Sequence, residues 1–290
     1  MPFFSIVIPT YNRYDLLPRC LDSVLNQTFL DFEVIVVDNY SEDKTKELLA
    51  KYQKKDPRIH FVQEHNNGII AHSRNVGVRK SSGEYVCFLD SDDWYREDKL
   101  EIVYNCIISQ KADLIYHPLV VTSKKGSHGL LGKTLTWDNK YMELLIEGDK
   151  ICNSSVVVRK SVIESIGFIS EDPEIVAVED YDCWLRIANA GYIIVYSHEA
   201  AGFYWEGDNF SSSEKQIYKI QALYDRHMCN IPANFRQRVE VARDYTKARI
   251  YHSLKKYSKA RVLYCKIYSA ADKKVKAKLC VLIILTIFRR

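Results

Sequence analysis

The chain has 290 residues, 47% of them hydrophobic and 27% charged. That excludes a disordered segment and leaves room for one large α/β domain with an appendage, or for two small domains. The net charge of +4 is unevenly spread: residues 241–290 hold 14 Lys/Arg against Asp244 and Asp272, a balance of +12, while residues 1–240 sum to −8.

None of the eight cysteines belongs to a C-x-x-C pair. Small buried hydrophobes in a reducing compartment are expected, rather than a zinc site or a disulfide framework. The N-terminus has no basic n-region and no apolar run long enough for a secretory signal, so a cytoplasmic protein is expected.

Three short apolar runs, residues 4–8, 33–37 and 85–89, read as strands. They are apolar on both faces, as in mostly parallel sheets covered on both sides. In residues 15–27, Leu16, Leu17, Cys20, Leu21, Val24 and Leu25 recur at three- and four-residue steps, which predicts a helix. Residues 42–54 predict another, with Ser41 as cap and Glu42 and Asp43 in the first turn. Strand–helix–strand alternation to residue 90 predicts a doubly wound α/β sheet. Further strands are expected at 113–121, 154–158 and 192–197, and helices at 97–110, 138–147, 160–166 and 179–190. After residue 212 only helical patterns follow.

Ligands of open α/β sheets bind beyond the carboxyl ends of the strands. Three polar clusters stand there: Pro9-Thr10-Tyr11-Asn12-Arg13, Asp38-Asn39-Tyr40-Ser41 and Asp90-Ser91-Asp92-Asp93. Parallel strands bring all three to one edge. Three carboxylates within four residues repel one another unless a cation sits among them, and hard divalent ions, Mn²⁺ or Mg²⁺, are the natural partners. Helix capping is the competing reading, and the position after a fully apolar strand tips the balance toward metal. Asp38 suits a hydrogen bond to a base or ribose. A second acidic group, Glu179-Asp180-Tyr181-Asp182, opens a helical pattern; it complements the helix dipole, and it could equally supply a catalytic base.

These residues resemble glycosyltransferase family 2, of the GT-A fold. The resemblance rests on Ser5-Ile6-Val7-Ile8-Pro9-Thr10-Tyr11-Asn12, Val36-Val37-Asp38-Asn39-Tyr40-Ser41, Ser73-Arg74-Asn75-Val76-Gly77, Gly83 through Trp94, Ser161 through Phe168, and Glu179 through Arg186, in the family's order over roughly residues 3–205. It implies a GT-A domain over residues 1–210 and leaves 211–290 as a basic helical C-terminal region. It implies that Pro9, Thr10, Tyr11, Asn12 and Asp38 hold the nucleotide, usually uridine, and that Arg74 lies near the donor phosphates. Asp90 and Ser91 would face the donor, Asp92 would ligate the metal with Asp90 as a second candidate, and Asp180 would be the general base of an inverting transfer. Glu179 and Trp184 are the acceptor-side candidates. The family often places a histidine after the last sheet strand as a further metal contact. Here that segment reads Gly202-Phe203-Tyr204-Trp205-Glu206-Gly207-Asp208, so Glu206 or Asp208 could replace it.

The tail runs from a lysine-rich stretch at 273–278 into ten uncharged residues, Leu279 to Phe288. Ten is short of the ~20 needed to span a bilayer. With the interleaved basic and aromatic residues of 243–290 it suits an interfacial anchor on an anionic membrane. A terminal helix docked on the body and a homodimer contact are the alternatives. Nucleic acid is the weaker partner, given an acidic body and the polyprenyl-diphosphate glycan acceptor that the resemblance implies. Two rival functions remain. An aspartate-dependent phosphohydrolase wants Thr or Val after the second Asp, where Asp93 and Trp94 stand. A nucleotide-sugar binding module without catalysis would not need Asp180.

Overall fold

The computed structural model describes residues 1–207 and 213–288. The chain divides into two compact units. The first comprises Met1–Lys140, Lys150–Glu171 and the described residues of Glu179–Asp208; the second gathers Tyr141–Asp149, Asp172–Val178 and the described residues of Asn209–Arg290.

The first unit opens with β1 (Phe4–Thr10), α1 (Leu17–Leu25), β2 (Phe32–Asp38), α2 (Thr45–Lys55), β3 (Ile59–Gln63), α3 (Ile70–Lys80) and β4 (Tyr85–Phe88). It continues through β5 (Trp94–Tyr95), α4 (Lys99–Gln110), β6 (Leu114–Tyr116), β7 (Leu119–Ser123) and β8 (Gly126–Leu131). After α5 (Lys140–Glu147) come β9 (Val157–Arg159), α6 (Lys160–Ser165), α7 (Glu179–Asn189), β10 (Ile194–Tyr196) and β11 (Gly202–Trp205). Seven strands form the main sheet in the order β10-β6-β9-β4-β1-β2-β3, and only β9 runs antiparallel to its neighbours. A smaller sheet has the order β5-β11-β7-β8.

The expected parallel sheet is present, and the reason is burial. All seven residues of β1 are buried, as are all four of β4, so neither strand has a solvent face. Helix α1 begins with Pro18 in its first turn and turns Leu17, Cys20, Leu21 and Val24 inward. On the other face α3 lies close over β1: a Cβ added to Gly77 would overlap the side chain of Val7.

Differences from the expected elements have local causes. The strand expected over 113–121 is two strands, because Pro118 follows His117 and withholds a ladder hydrogen bond. Ser41 is not a helix cap, since its hydroxyl donates to Asp38; Asp43 accepts the Thr45 N–H at 2.9 Å and starts α2 later. Cys20, Cys87 and Cys183 are buried as expected, whereas Cys229, Cys265 and Cys280 are exposed.

In the second unit α8 (Lys215–His227), α9 (Ala233–Ser253), α10 (Tyr257–Tyr268) and α11 (Lys273–Phe288) follow one another. Val241, Ala248, Ala260, Tyr264, Ile267, Leu279 and Leu282 build its own core. Among the described residues no helix is long and apolar enough to cross a membrane.

Gly77→Ala tests the α3–β1 approach. Overpacking costs about 1–3 kcal/mol, which outweighs the gain in helix propensity of at most about 1 kcal/mol. The urea midpoint should fall; an unchanged or higher midpoint would show that α3 can shift away from β1.

Candidate active site

The carboxyl ends of β1, β2 and β4 lie side by side, because β1 pairs in parallel with both others. Their polar residues therefore share one edge. The loop after β1 is tied to the loop after β2: Asn12 N–H donates to Ser41 Oγ at 2.8 Å, and Glu42 N–H donates to Asn12 Oδ1 at 2.8 Å. Asn12 (φ 50°) and Tyr40 (φ 52°) both adopt the left-handed region. That is unusual for a tyrosine, and Tyr40 is held by a stack on His65 with ring centroids 3.9 Å apart. Tyr11 is exposed at the rim, and the buried Thr10 hydroxyl has no partner among the described residues.

Asp38 is fully buried. It accepts hydrogen bonds from Gln63 Nε2 at 3.0 Å, from the Ser41 amide and from the Ser41 hydroxyl. Much of its hydrogen-bonding capacity thus goes to shaping the 39–41 turn.

The acidic run after β4 separates into three environments. Asp90 Oδ1 accepts from Arg74 Nη2 at 2.9 Å and from Asn153 Nδ2 at 3.2 Å, and its amide donates to Ser154 Oγ at 3.1 Å. Asn153 and Ser154 sit on the short 3-10 turn Asn153–Ser155 ahead of β9. Ser91 is buried between the carboxylates. Asp92 keeps a partly exposed carboxylate 3.7 Å from Arg13 Nη2; burial and the neighbouring Asp90 charge push its carboxyl up from the ordinary range. Asp93 points inward, accepts the Trp205 N–H at 2.8 Å, and is pushed well up, first by burial and then by Asp90.

Arg74 joins this run to α7. Its guanidinium lies 2.9 Å from Asp90 and 2.8 Å from Glu179 Oε1. Burial alone would lower the Arg74 pKa, but Asp90 and Glu179 more than offset that and hold it above its ordinary value. Next along α7, Asp180 is raised to about 6 by burial and then by the Glu179 charge, with Arg74 opposing. Two adjacent carboxylates thus have different environments: Glu179 is bonded to the arginine, and Asp180 is partly exposed with a raised carboxyl.

Sequence reasoning did not find Arg19. Its guanidinium lies over Trp94 at 3.7 Å and over Trp205 at 4.7 Å, while Nη2 donates to the Asp92 carbonyl at 2.8 Å. It thereby links α1, the acidic run and β11. In the sequence it is one more basic residue on an amphipathic helix, and only the tryptophans, 75 and 186 positions later, reveal its use. Trp184 corrects an expectation. It is fully buried, its ring 6.2 Å from that of Phe88, because it sits on the inward face of α7; it is a core residue rather than an acceptor contact. Glu206 Oε2 lies 2.9 Å from His128 Nε2 on β8, and Asp208 lies outside the described residues.

Among the described residues no three His, Cys, Asp or Glu side chains are arranged to hold a metal by themselves. The donor set does fit a hard cation shared with a ligand. Such ions take one or two carboxylates and complete their shell with water and phosphate oxygens. Asp92 is a partly exposed carboxylate beside Asp90, with Arg13 Nη2 3.7 Å away.

The mostly parallel sheet, with an acidic run after its fourth strand and a second carboxylate pair bridged to that run by arginine, has the GT-A fold. The chain belongs to the glycosyl transferase family 2, whose model matches residues 5–166. It is 30% identical over 220 residues to TuaG of Bacillus subtilis, a glycosyltransferase proposed to act in teichuronic acid biosynthesis; the match covers 74% of this chain and 83% of TuaG. Two other relatives are longer, and their matches cover only 16% and 29% of their length. Among solved structures, residues 1–349 of Staphylococcus aureus TarS with UDP-GlcNAc superpose with a TM-score of 0.67 at 18% identity, covering 99% of this chain and 89% of that one. The mannosyltransferase PcManGT of Pyrobaculum calidifontis, with GDP-Man and Mn²⁺, gives 0.66 at 17% identity, covering 99% and 81%.

Arg74→Met would leave Asp90 and the buried Glu179 without their cation. Breaking a buried pair from one side costs about 3–5 kcal/mol. Chemical denaturation should show a loss of that size, and a loss below about 1 kcal/mol would mean that water already screens the pair.

Proposed function

We propose that this chain transfers a hexose or N-acetylhexosamine from a nucleotide sugar, with uridine as the base, to a hydroxyl of a glycan acceptor on a polyprenyl-diphosphate lipid. The observation that supports the reading is the Arg74 bridge between Asp90 and Glu179, since the residue after Glu179 is Asp180, a partly exposed carboxylate with a raised pKa. UDP-GlcNAc in TarS supports the donor class, and the name of TuaG, which refers to teichuronic acid biosynthesis, supports a glycan as the product.

Each residue has a role in this reading. Pro9, Thr10, Tyr11, Asn12 and the turn that Asp38 shapes enclose the base and ribose. Asp90 and Ser91 face the donor, and Asp92, joined by Asp90, would hold the divalent ion, Mn²⁺ or Mg²⁺. When bound, that ion supplies electrostatic neutralisation of the departing diphosphate. The Mn²⁺ in PcManGT supports this choice. Asp180 takes the proton of the acceptor hydroxyl as the hydroxyl oxygen attacks the anomeric carbon. The bond from that carbon to the diphosphate oxygen breaks on the opposite side, and the configuration inverts. Glu179 serves through Arg74, by holding α7 and hence Asp180 at the edge. Arg19 is a positioning residue for the Asp92 backbone. The basic stretch 243–290 would keep the enzyme on the inner face of the cell membrane, where a lipid-linked acceptor is presented.

Asp180→Asn tests the base. Turnover should fall by about 10²–10⁴-fold, with the donor KM unchanged; undiminished transfer would remove Asp180 from the mechanism.

The pH profile gives an independent check. The base must be ionised, and burial and Glu179 raise its carboxyl to about 6. Turnover should therefore be level at neutral pH and drop as pH falls through about 6. A profile flat down to pH 4–5, the ordinary carboxylate range, would contradict the assignment.

A further inference from the structure

Helix α11 has two apolar faces. Val275, Leu279, Leu282 and Thr286 follow one another at steps of four, three and four, and the last three are at most 8% exposed within the core of the second unit. Ala277, Val281, Ile284 and Phe288 follow at the same steps on the opposite side. There Val281 is 59%, Ile284 52% and Phe288 82% exposed. A helix that merely caps a soluble unit turns polar residues outward, yet residues 279–288 contain no charged side chain. Docking on the unit and exposure of an apolar face, two alternatives in the sequence, therefore coexist.

The charge of the segment that carries this face decides what covers it, even with Lys256 and Lys259 paired to Glu214 at 2.7 and 2.8 Å. Residues 243–278 hold 12 Lys/Arg and two acidic residues. Asp244 is buried and bonded by Lys266 at 2.8 Å and Arg243 at 3.0 Å, while Asp272 accepts the Val275 N–H at 2.8 Å at the start of α11. A second copy placed on this face would bring an equal positive charge against it. An anionic surface is the complement. The ten uncharged residues extend about 15 Å at 1.5 Å each, half of a bilayer's hydrocarbon core, so the helix fits along the interface and not across it.

We infer that the Val281–Ile284–Phe288 face of α11 inserts flat into the interface of an anionic membrane while Leu279 and Leu282 keep the helix docked on its own unit. The inference rests on the membrane contact proposed above, and it adds the face that enters and the excluded partner. Basic residues supply attraction and the apolar stripe supplies insertion, so both are needed.

The test uses the whole chain and phosphatidylcholine vesicles with and without phosphatidylglycerol. Wild type should sediment with the mixed vesicles and far less with the neutral ones. The double variant Val281→Gln/Ile284→Gln, which leaves the charge unaltered, should bind the mixed vesicles roughly tenfold or more weakly. Nucleotide-sugar hydrolysis without vesicles should be unchanged in the variant, which separates lost insertion from lost folding. If the double variant melts early, Ile284→Gln alone gives the same reading with a smaller loss. Equal binding of variant and wild type, or a wild-type dimer in gel filtration that the variant splits, would overturn the inference. Failure to sediment with intact donor hydrolysis sinks the membrane face alone; sedimentation without hydrolysis sinks the catalytic reading alone.

Discussion

Arg74 is the residue on which the arrangement of the site depends. Its guanidinium is buried between Asp90 from the end of β4 and Glu179 from the first turn of α7, segments almost ninety residues apart in the chain. Buried ion pairs of this kind are weak sources of net stability, because desolvation offsets much of the attraction. Their effect here is geometric: with its guanidinium engaged on both sides, Arg74 fixes where α7 begins relative to the acidic run. α3 can carry Arg74 to that point only because Gly77, one turn on, lets the helix lie close over β1.

The division of labour among the carboxylates follows from burial. Asp93 serves the fold through the Trp205 amide, Asp90 is satisfied by Arg74 and Asn153, and Asp92 keeps an open side. Asp180 is pushed up beside a neighbour that keeps its own cation. Environments that separate neighbouring carboxylates in this way are what acid–base chemistry requires. On the proposed reading the protein would offer only part of a metal shell, as suits an ion that a donor diphosphate would help to hold.

Much of this was legible in the sequence where one property decided the outcome. Strands apolar on both faces announced the parallel sheet, and parallel direction alone placed Thr10, Asp38 and Asp90 on one edge. What depended on contacts distant in the chain was not legible. The edge strand β3 and the strands β5, β8 and β11 of the small sheet have at most one buried residue each, so no long apolar run marks them, whereas β7 begins within the strand expected over 113–121. Trp184 looked available because of its neighbours in sequence, whereas the phase of α7 turns it into the core. Ser41 looked like a cap because nothing local shows that Asp38 claims its hydroxyl. Arg19 had no sequence signature at all.

On the proposed reading, this edge takes a nucleoside diphosphate together with a divalent ion. Calorimetric titration of the wild-type chain with UDP, in Mn²⁺ and again in excess EDTA, tests it most directly. Saturable binding is expected in Mn²⁺, strongly weakened by EDTA and by Asp92→Asn. Binding of equal strength with and without the ion, or no heat with UDP or any other nucleoside diphosphate, would contradict it.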